Sequence, residues 1–242
     1  MKKKDQLSKK YLTSGSWKFN RKVSEVFHDM VHRSIPGYKN ISDTIGYFSQ
    51  KFVQPKSNIY DLGCAIGGVT ESIIKYVKNE DCKIISIDKS SDMIDEFKKR
   101  FSNKYGENFS VKIMKQDVLK TDIRNASVVI LNFTLQFIRP SKKSYILKRI
   151  YNGLNKGGIL ILSEKVRSEN KDNLFINAHK DFKLSNGYST LEISQKERML
   201  KNVMFVESIR QNRYRLKHSG FRRTVLWFQY LNFISLITFK LQ

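Results

Sequence analysis

Cysteine is nearly missing from this chain: Cys64 and Cys82 are the only two in 242 residues. Two thiols cannot build a disulfide framework or a four-thiolate zinc site, and a reduced, cytoplasmic setting is expected. Proline is scarce too, at Pro36, Pro55 and Pro140, with no internal repeat and no low-complexity linker. The expectation is one domain over residues 1–242 rather than modules on a tether. No apolar run reaches the roughly 18 residues of a membrane helix. Val128–Ile138 is interrupted by Asn132 and Gln136, and Leu226–Phe239 by Gln229, Asn232 and Ser235. The opening MKKKDQLSKK is basic but has no apolar stretch behind it, so neither a secretory signal nor a membrane partner is expected. Zinc-ligand spacing, a phosphate loop and a Ser/His/Asp order are also missing, and no metal is expected. What is present is 40% hydrophobic residues, enough for a full core and against wholesale disorder.

Acidic residues are few: 22 Asp and Glu stand against 45 Lys and Arg, a formal net charge of +23. Such an excess suits a nucleic-acid partner. The composition offers a plainer cause. There are 32 lysines against 13 arginines and 24 isoleucines against 3 alanines, the skew of an AT-rich genome. The lysines are spread along the chain, which fits a solvated surface. Direct RNA contact stays an open alternative.

The first stretch, about 1–54, reads as helical, with Val23, Val26, Phe27, Met30 and Val31 at helical spacing. It breaks at Ser34-Ile35-Pro36-Gly37-Tyr38 and resumes at Ile41–Phe52. Beyond Pro55, strands at Ile59–Leu62, Lys83–Ile87, Val111–Met114, Val128–Phe133 and Ile159–Ser163 alternate with helices at Val69–Val77, Met93–Tyr105 and Ser144–Leu154. That alternation predicts a parallel sheet covered on both faces. A helix at Val203–His218 and two strands, Val225–Tyr230 and Ile234–Phe239, follow. The two-residue link at Leu231-Asn232 suits an antiparallel pair. About 166–202 is too long for a loop and reads as a helical insertion. The fold class is therefore α/β: a mostly parallel seven-stranded sheet with an antiparallel C-terminal strand, the layout of class I, Rossmann-like methyltransferases.

Four places carry chemistry. Asp61-Leu62-Gly63-Cys64-Ala65-Ile66-Gly67-Gly68 sits between a strand and a helix, where small residues allow a sharp turn and close approach to a ligand. It resembles the first motif of S-adenosylmethionine-dependent methyltransferases. Asp88 ends the next strand, 21 residues after Gly67, at the spacing of an acid that accepts from ribose hydroxyls; the alternative is a cap for the following helix. Asp117, with Val118, follows the third strand, where an acid meets an adenine amino group. Asn132 ends the fourth strand, facing the ligand crevice, and lacks the Pro-Pro-aromatic sequence of enzymes that methylate base nitrogens. Phe133, Leu135 and Phe137 read as packing residues, Cys64 as inert, and His179 as structural.

Longer strings extend the resemblance: Trp17-Lys18-Phe19, Val26-Phe27-His28-Asp29-Met30, Arg33 to Tyr38, Leu131 to Phe137, Leu162-Ser163-Glu164-Lys165, Asn186-Gly187-Tyr188-Ser189, Leu191 to Lys196 and Leu226-Trp227-Phe228-Gln229. From about Trp17 onward the chain resembles the carboxy-S-adenosyl-L-methionine synthase family. The resemblance implies S-adenosyl-L-methionine as co-substrate, prephenate as substrate, a homodimer, and a product used by a tRNA uridine carboxymethyltransferase at the wobble position. Direct tRNA binding is then not required. It also implies that prephenate supplies both the carbon dioxide and the hydroxide that takes the methyl proton. The protein's tasks become holding the reactants and excluding water.

The resemblance places Tyr38, Gly63, Cys64, Ala65, Asp88, Lys89, Asp117, Val118 and Asn132 around the cofactor. Ala65 stands where the family has serine, and Lys89 where it has asparagine. A third departure bears on the substrate. The family arginine after Ser-Gln-Lys, which meets the added carboxylate across a homodimer, is Glu197 here, and Arg198 follows. One residue on a helix is a rotation of about 100°. Arg198 is the expected carboxylate partner, and Glu197 would repel the carboxylates of prephenate and of the product. The alternatives are a conventional tRNA methyltransferase and a binding protein in which Glu197 has abolished the chemistry.

Overall fold

Short apolar runs become seven strands: β1 (Asn58–Leu62), β2 (Lys83–Asp88), β3 (Val111–Lys115), β4 (Ala126–Asn132), β5 (Leu154–Lys165), β6 (Arg223–Tyr230) and β7 (Phe233–Phe239). The computed structural model describes residues 17–78, 81–106, 110–167 and 173–241. The sheet order is β3-β2-β1-β4-β5-β7-β6. Neighbours from β3 to β5 run parallel, and β7 runs antiparallel to both β5 and β6. This is the class I Rossmann-like arrangement. β1 pairs with β2 on one side and β4 on the other, so successive crossovers leave β1 in opposite directions. A crevice opens beyond the carboxyl ends of β1 and β4.

The helices are α1 (Arg21–Ser34), α2 (Tyr38–Phe52), α3 (Gly68–Tyr76), α4 (Ser91–Tyr105), α5 (Pro140–Gly153), α6 (Leu174–Ser185), α7 (Thr190–Leu200) and α8 (Ile209–His218). Alternation along the buried strands feeds two cores. Ile59, Val128, Ile130, Ile159 and Ile161 pack with Ile41 and Ile45 of α2 and Ile73 of α3. Tyr60, Leu62, Val129, Leu131 and Leu162 pack with Ile146 and Ile150 of α5 and Leu216 of α8. Of the N-terminal segment expected at 1–54, residues 1–16 lie outside the described residues. Of the insertion expected at 166–202, residues 168–172 do; α6 and α7 occupy most of the rest.

α2 and α3 touch at Gly46, where an added Cβ would sit 2.5 Å from the Ser72 carbonyl oxygen. Gly46→Ala gains helix propensity of about 1 kcal/mol. The backbone it meets cannot rotate away, and overpacking costs about 1–3 kcal/mol. A net loss of stability is expected, read as a lower urea midpoint at unchanged slope; an equal or higher midpoint would refute the close contact.

Two expectations need correction. The helix expected from Val203 begins only at Ile209, where Ser208 and Gln211 form a capping box. Residues before it are held out of the helix: the Phe205 N–H donates to the Gln136 carbonyl at 2.7 Å, and Val166 bridges Glu207. The lysines are also not uniformly solvated, because Lys143, Lys183 and Lys196 are buried.

Candidate functional site

The cofactor turn grows directly from β1. Gly63 has φ 79° and Gly67 has φ 82°, backbone that side chains rarely adopt. A Cβ on Gly63 would lie 2.4 Å from Thr134 Oγ1. Ala65 holds φ 47° despite its Cβ, a local strain met by tethers to β2. The Gly63 and Cys64 N–H groups both donate to the Ile87 carbonyl, at 2.7 and 3.0 Å. The Ala65 N–H donates to Asp88 Oδ2 at 3.0 Å. Beneath the turn, buried Asp61 accepts from Thr70 Oγ1 at 2.6 Å, and Thr70 meets Ser86 at 2.8 Å. Burial pushes the Asp61 carboxyl up to about 6 despite the Thr70 bond.

A cavity of about 690 Å³ opens over this turn. Its lining includes Tyr38, Gly63, Cys64, Ala65, Asp88, Lys89, Asp117, Val118 and Asn132. Asp88 Oδ1 also accepts the Ser90 N–H at 2.9 Å. Ser90, not Asp88, caps α4 through the Met93 N–H. Asp88 therefore has lone pairs left for a ligand, and burial raises its pKa. Asp117 caps the short turn Val118–Lys120 by accepting the Leu119 N–H at 2.9 Å. Asn132 Oδ1 is buried with no hydrogen-bond partner. A buried acceptor left unpaired is costly, and its place in the wall marks it for a donor on the ligand. Tyr38 stacks on Phe133 with ring centres 6.3 Å apart, and burial pushes its phenol up to about 12. The Cys64 thiol is driven well up by burial and is no nucleophile.

Phe133 and Phe137 line the cavity; Phe133 also packs in the core, as expected of it, and so does Leu135. Phe133 has φ 57°, backbone that side chains rarely adopt. Phe137 meets Phe19 edge-on at 5.1 Å, and the Trp17 N–H donates to the Met199 carbonyl. Trp17 and Phe19 thus cover the site from the N-terminal side. His179 is buried with Nε2 2.8 Å from the Ser34 carbonyl. Burial and nearby Lys165 bring its pKa down to about 3, so the ring is neutral and Nε2–H donates.

Arg198 is exposed on α7 and is not among the residues lining its own chain's cavity, whereas Lys196, Glu197, Leu200 and Lys201 are. Lys165 and Lys183 line the cavity as well, and the motif reading missed both. Lys165 was within reach, since it ends a central strand on the crevice side. Nothing in the local sequence signals Lys183.

The residues present fit S-adenosyl-L-methionine: an acid for a diol, an acid and an apolar residue for a purine, an orphan amide acceptor and a glycine-rich turn. Among the described residues no group of three or more His, Cys, Asp or Glu is arranged to hold a metal, and no helix is long and apolar enough to cross a membrane.

Residues 59–158 match a methyltransferase domain family. The carboxy-S-adenosyl-L-methionine synthase of Yersinia enterocolitica is 47% identical over 228 residues, covering 93% of this chain and 85% of that protein. The enzyme of the same name from Escherichia coli O127:H6 is 47% identical over 228 residues, covering 93% and 92%. Among solved structures, an O-methyltransferase family protein from Burkholderia thailandensis superposes with TM-score 0.68 at 13% identity, covering 98% of this chain and 68% of that one. Human N-acetylserotonin methyltransferase in complex with S-adenosylmethionine gives TM-score 0.62 at 17% identity, over 92% of this chain and 56% of that one. These likenesses carry the fold.

Proposed function

This chain belongs to the carboxy-S-adenosyl-L-methionine synthase family, and from that membership we propose that it converts S-adenosyl-L-methionine and prephenate to carboxy-S-adenosyl-L-methionine, phenylpyruvate and water. The product serves a cytoplasmic tRNA uridine carboxymethyltransferase, and this chain need not touch tRNA. One observation carries the proposal: a single cavity of about 690 Å³ is lined both by the cofactor cradle and by Phe133, Phe233, Lys165 and Lys183.

The exchange balances within that space. Prephenate loses its ring carboxylate and ring hydroxyl and becomes aromatic. The hydroxide takes one methyl proton, and the carboxyl carbon bonds to the methyl carbon. Asp88 holds the ribose diol, Asp117 and Val118 the adenine, and the turn from Gly63 to Ala65 the methionine portion. Asn132 Oδ1 accepts from the ammonium group. Tyr38 lays a neutral ring against the sulfonium. Phe19, Phe133 and Phe137 exclude water, which would otherwise capture the hydroxide or the carbon dioxide.

Two copies complete the site. Leu174, Ile176, Leu184 and Leu191 expose 64, 45, 41 and 62% of their surface on α6 and α7, apolar surface of the kind subunit contacts cover. Arg198 is exposed on α7 and does not line its own cavity; in this reading it serves the partner's site. A hybrid test follows. Arg198→Ala and Asp88→Ala subunits are each expected to be nearly inactive alone. Mixed, they form heterodimers in which the site with intact Asp88 receives Arg198 from its partner, restoring about a quarter of wild-type activity if exchange is random. Absence of recovery, with exchange verified, would place Arg198 in its own subunit's site or in none.

The chemistry is read directly by incubating protein, S-adenosyl-L-methionine and prephenate and weighing the small molecules. Cofactor heavier by one carbon dioxide, with phenylpyruvate, is expected. Unchanged cofactor together with methylated tRNA in a parallel reaction would instead establish a conventional tRNA methyltransferase, the reading that the +23 charge favours.

A further inference from the structure

Lys165 ends β5, and its ammonium lies 5.8 Å from the centre of the Phe233 ring. The His179 ring packs on the same phenyl at 4.8 Å. Lys183, one turn beyond His179 on α6, donates to Glu197 Oε1 at 3.0 Å; its side chain is 9% exposed and that of Glu197 is 43% exposed. Lys196, also buried, donates to Tyr188 Oη at 2.9 Å. Lys165, Lys183 and Glu197 are close enough to act on one another electrostatically, and all three line the cavity, as does Lys196. Burial, chiefly, and the charge on Lys183 bring Lys165 down to about 8. Gathering buried like charges is unfavourable until an anion arrives.

The cluster is separated from the cofactor end by rings. Tyr38 stacks on Phe133, and Phe133 meets Phe233 at 6.0 Å. A planar six-membered ring laid along this wall would put one end at the sulfonium and its substituent at the lysines. We propose that Lys165 and Lys183 bind the carboxylate that the substrate keeps, the pyruvyl carboxylate carried from prephenate into phenylpyruvate, while the carboxylate that leaves faces the apolar rings. The inference rests on the synthase reading and adds an orientation to it. Its chemical ground is that an ammonium paired with a carboxylate stabilises that carboxylate against loss of carbon dioxide, whereas an apolar surround does not. Cations therefore belong on the group that stays. Glu197, the more exposed member of its pair, is the carboxylate that the substrate replaces at Lys183.

Lys165→Met in the full chain tests this, because a methionine fills the lysine stem's volume without charge. Three constants are compared with wild type: KM for prephenate, the competitive Ki of phenylpyruvate, and the Kd of S-adenosyl-L-methionine. Loss of one charge-assisted contact is expected to raise KM and Ki together by about tenfold or more, with the cofactor Kd unchanged. A rise in KM with Ki unmoved would mean that the cluster holds the departing carboxylate, and would overturn the proposal; no change in either would overturn it as well. Lys183→Met gives the same readout should Lys165→Met fail to fold. If the wild-type protein makes no carboxylated cofactor, the synthase reading falls by itself. Calorimetric binding of phenylpyruvate to the protein loaded with S-adenosyl-L-methionine then decides the subsite: binding lost in Lys165→Met upholds it, and no binding to wild type overturns it.

Discussion

Glu207→Ala is expected to cost about 3–5 kcal/mol of stability, the range for removing one partner of a buried ion pair. Lys143 lies in the first turn of α5 with a side chain that is 0% exposed, 3.3 Å from a Glu207 carboxylate that is 9% exposed. Its other partner is the Phe205 carbonyl at 2.8 Å. Arg215 of α8 grips the same carboxylate, at 2.7 Å in its shortest contact. Removing Glu207 strands an ammonium in the core, and one carbonyl does not neutralise it. Glu164, buried on β5, is the available relief. Burial holds its carboxyl up at about 8, nearby Lys143 opposes this, and the charge on Glu207 adds to the rise. Without Glu207, Glu164 ionises more readily and pairs with Lys143. Glu164→Gln combined with Glu207→Ala should therefore lose more than the two single losses added, a coupling of about 0.5–3 kcal/mol. Urea midpoints at constant slope measure both quantities. Additivity would show that Lys143 finds its compensation elsewhere.

This network also marks where the chain stops being legible from its sequence. β1, β2 and β4 are short apolar runs closed by Gly63, Asp88 and Asn132. Local pattern finds them because parallel strands buried on both faces must be apolar throughout. The cofactor end of the site was legible for the same reason: it sits where those strands end. Lys143 was not, since a lysine among Ile146, Leu147 and Ile150 looks like the wet face of an amphipathic helix. Only α8, docked through Glu207 and Arg215, makes it interior. Val203 and Phe205 looked helical by composition, but Val203 closes a turn onto Leu200 and Phe205 is held out of a helix by a bond to Gln136, nearly seventy positions earlier. Lys183 and Lys196 come from two helices whose packing over the sheet's end is a tertiary event. Their meeting at one cavity has no signature in either segment.

Asp88→Ala is expected to weaken S-adenosyl-L-methionine binding by at least about 100-fold while leaving the fold intact. Two charge-assisted hydrogen bonds to a vicinal diol contribute about 1.5–3 kcal/mol each, less than additively, and every 1.4 kcal/mol is tenfold in affinity. The same carboxylate accepts the Ala65 and Ser90 N–H groups. Its loss therefore frees the strained turn at Ala65 as well as the ribose contact. Asp88→Asn separates these effects. The amide keeps the volume and one acceptor, but its NH2 must face either a backbone N–H or a ribose hydroxyl where an acceptor is needed. An intermediate loss is expected for Asn. Protonation should imitate it, because burial already raises the Asp88 pKa in the free protein. The bound diol favours the ionised form, so affinity falls as pH drops into the range where the empty carboxyl protonates. Calorimetry with S-adenosyl-L-methionine across pH, beside thermal unfolding of each variant, checks the series. Binding by Asp88→Asn within about threefold of wild type, less than the roughly 1 kcal/mol of a single neutral hydrogen bond, would mean that the ribose lies elsewhere. It would leave Asp88 as a tether for the turn, with Asp117 and Asn132 to account for recognition of the nucleoside.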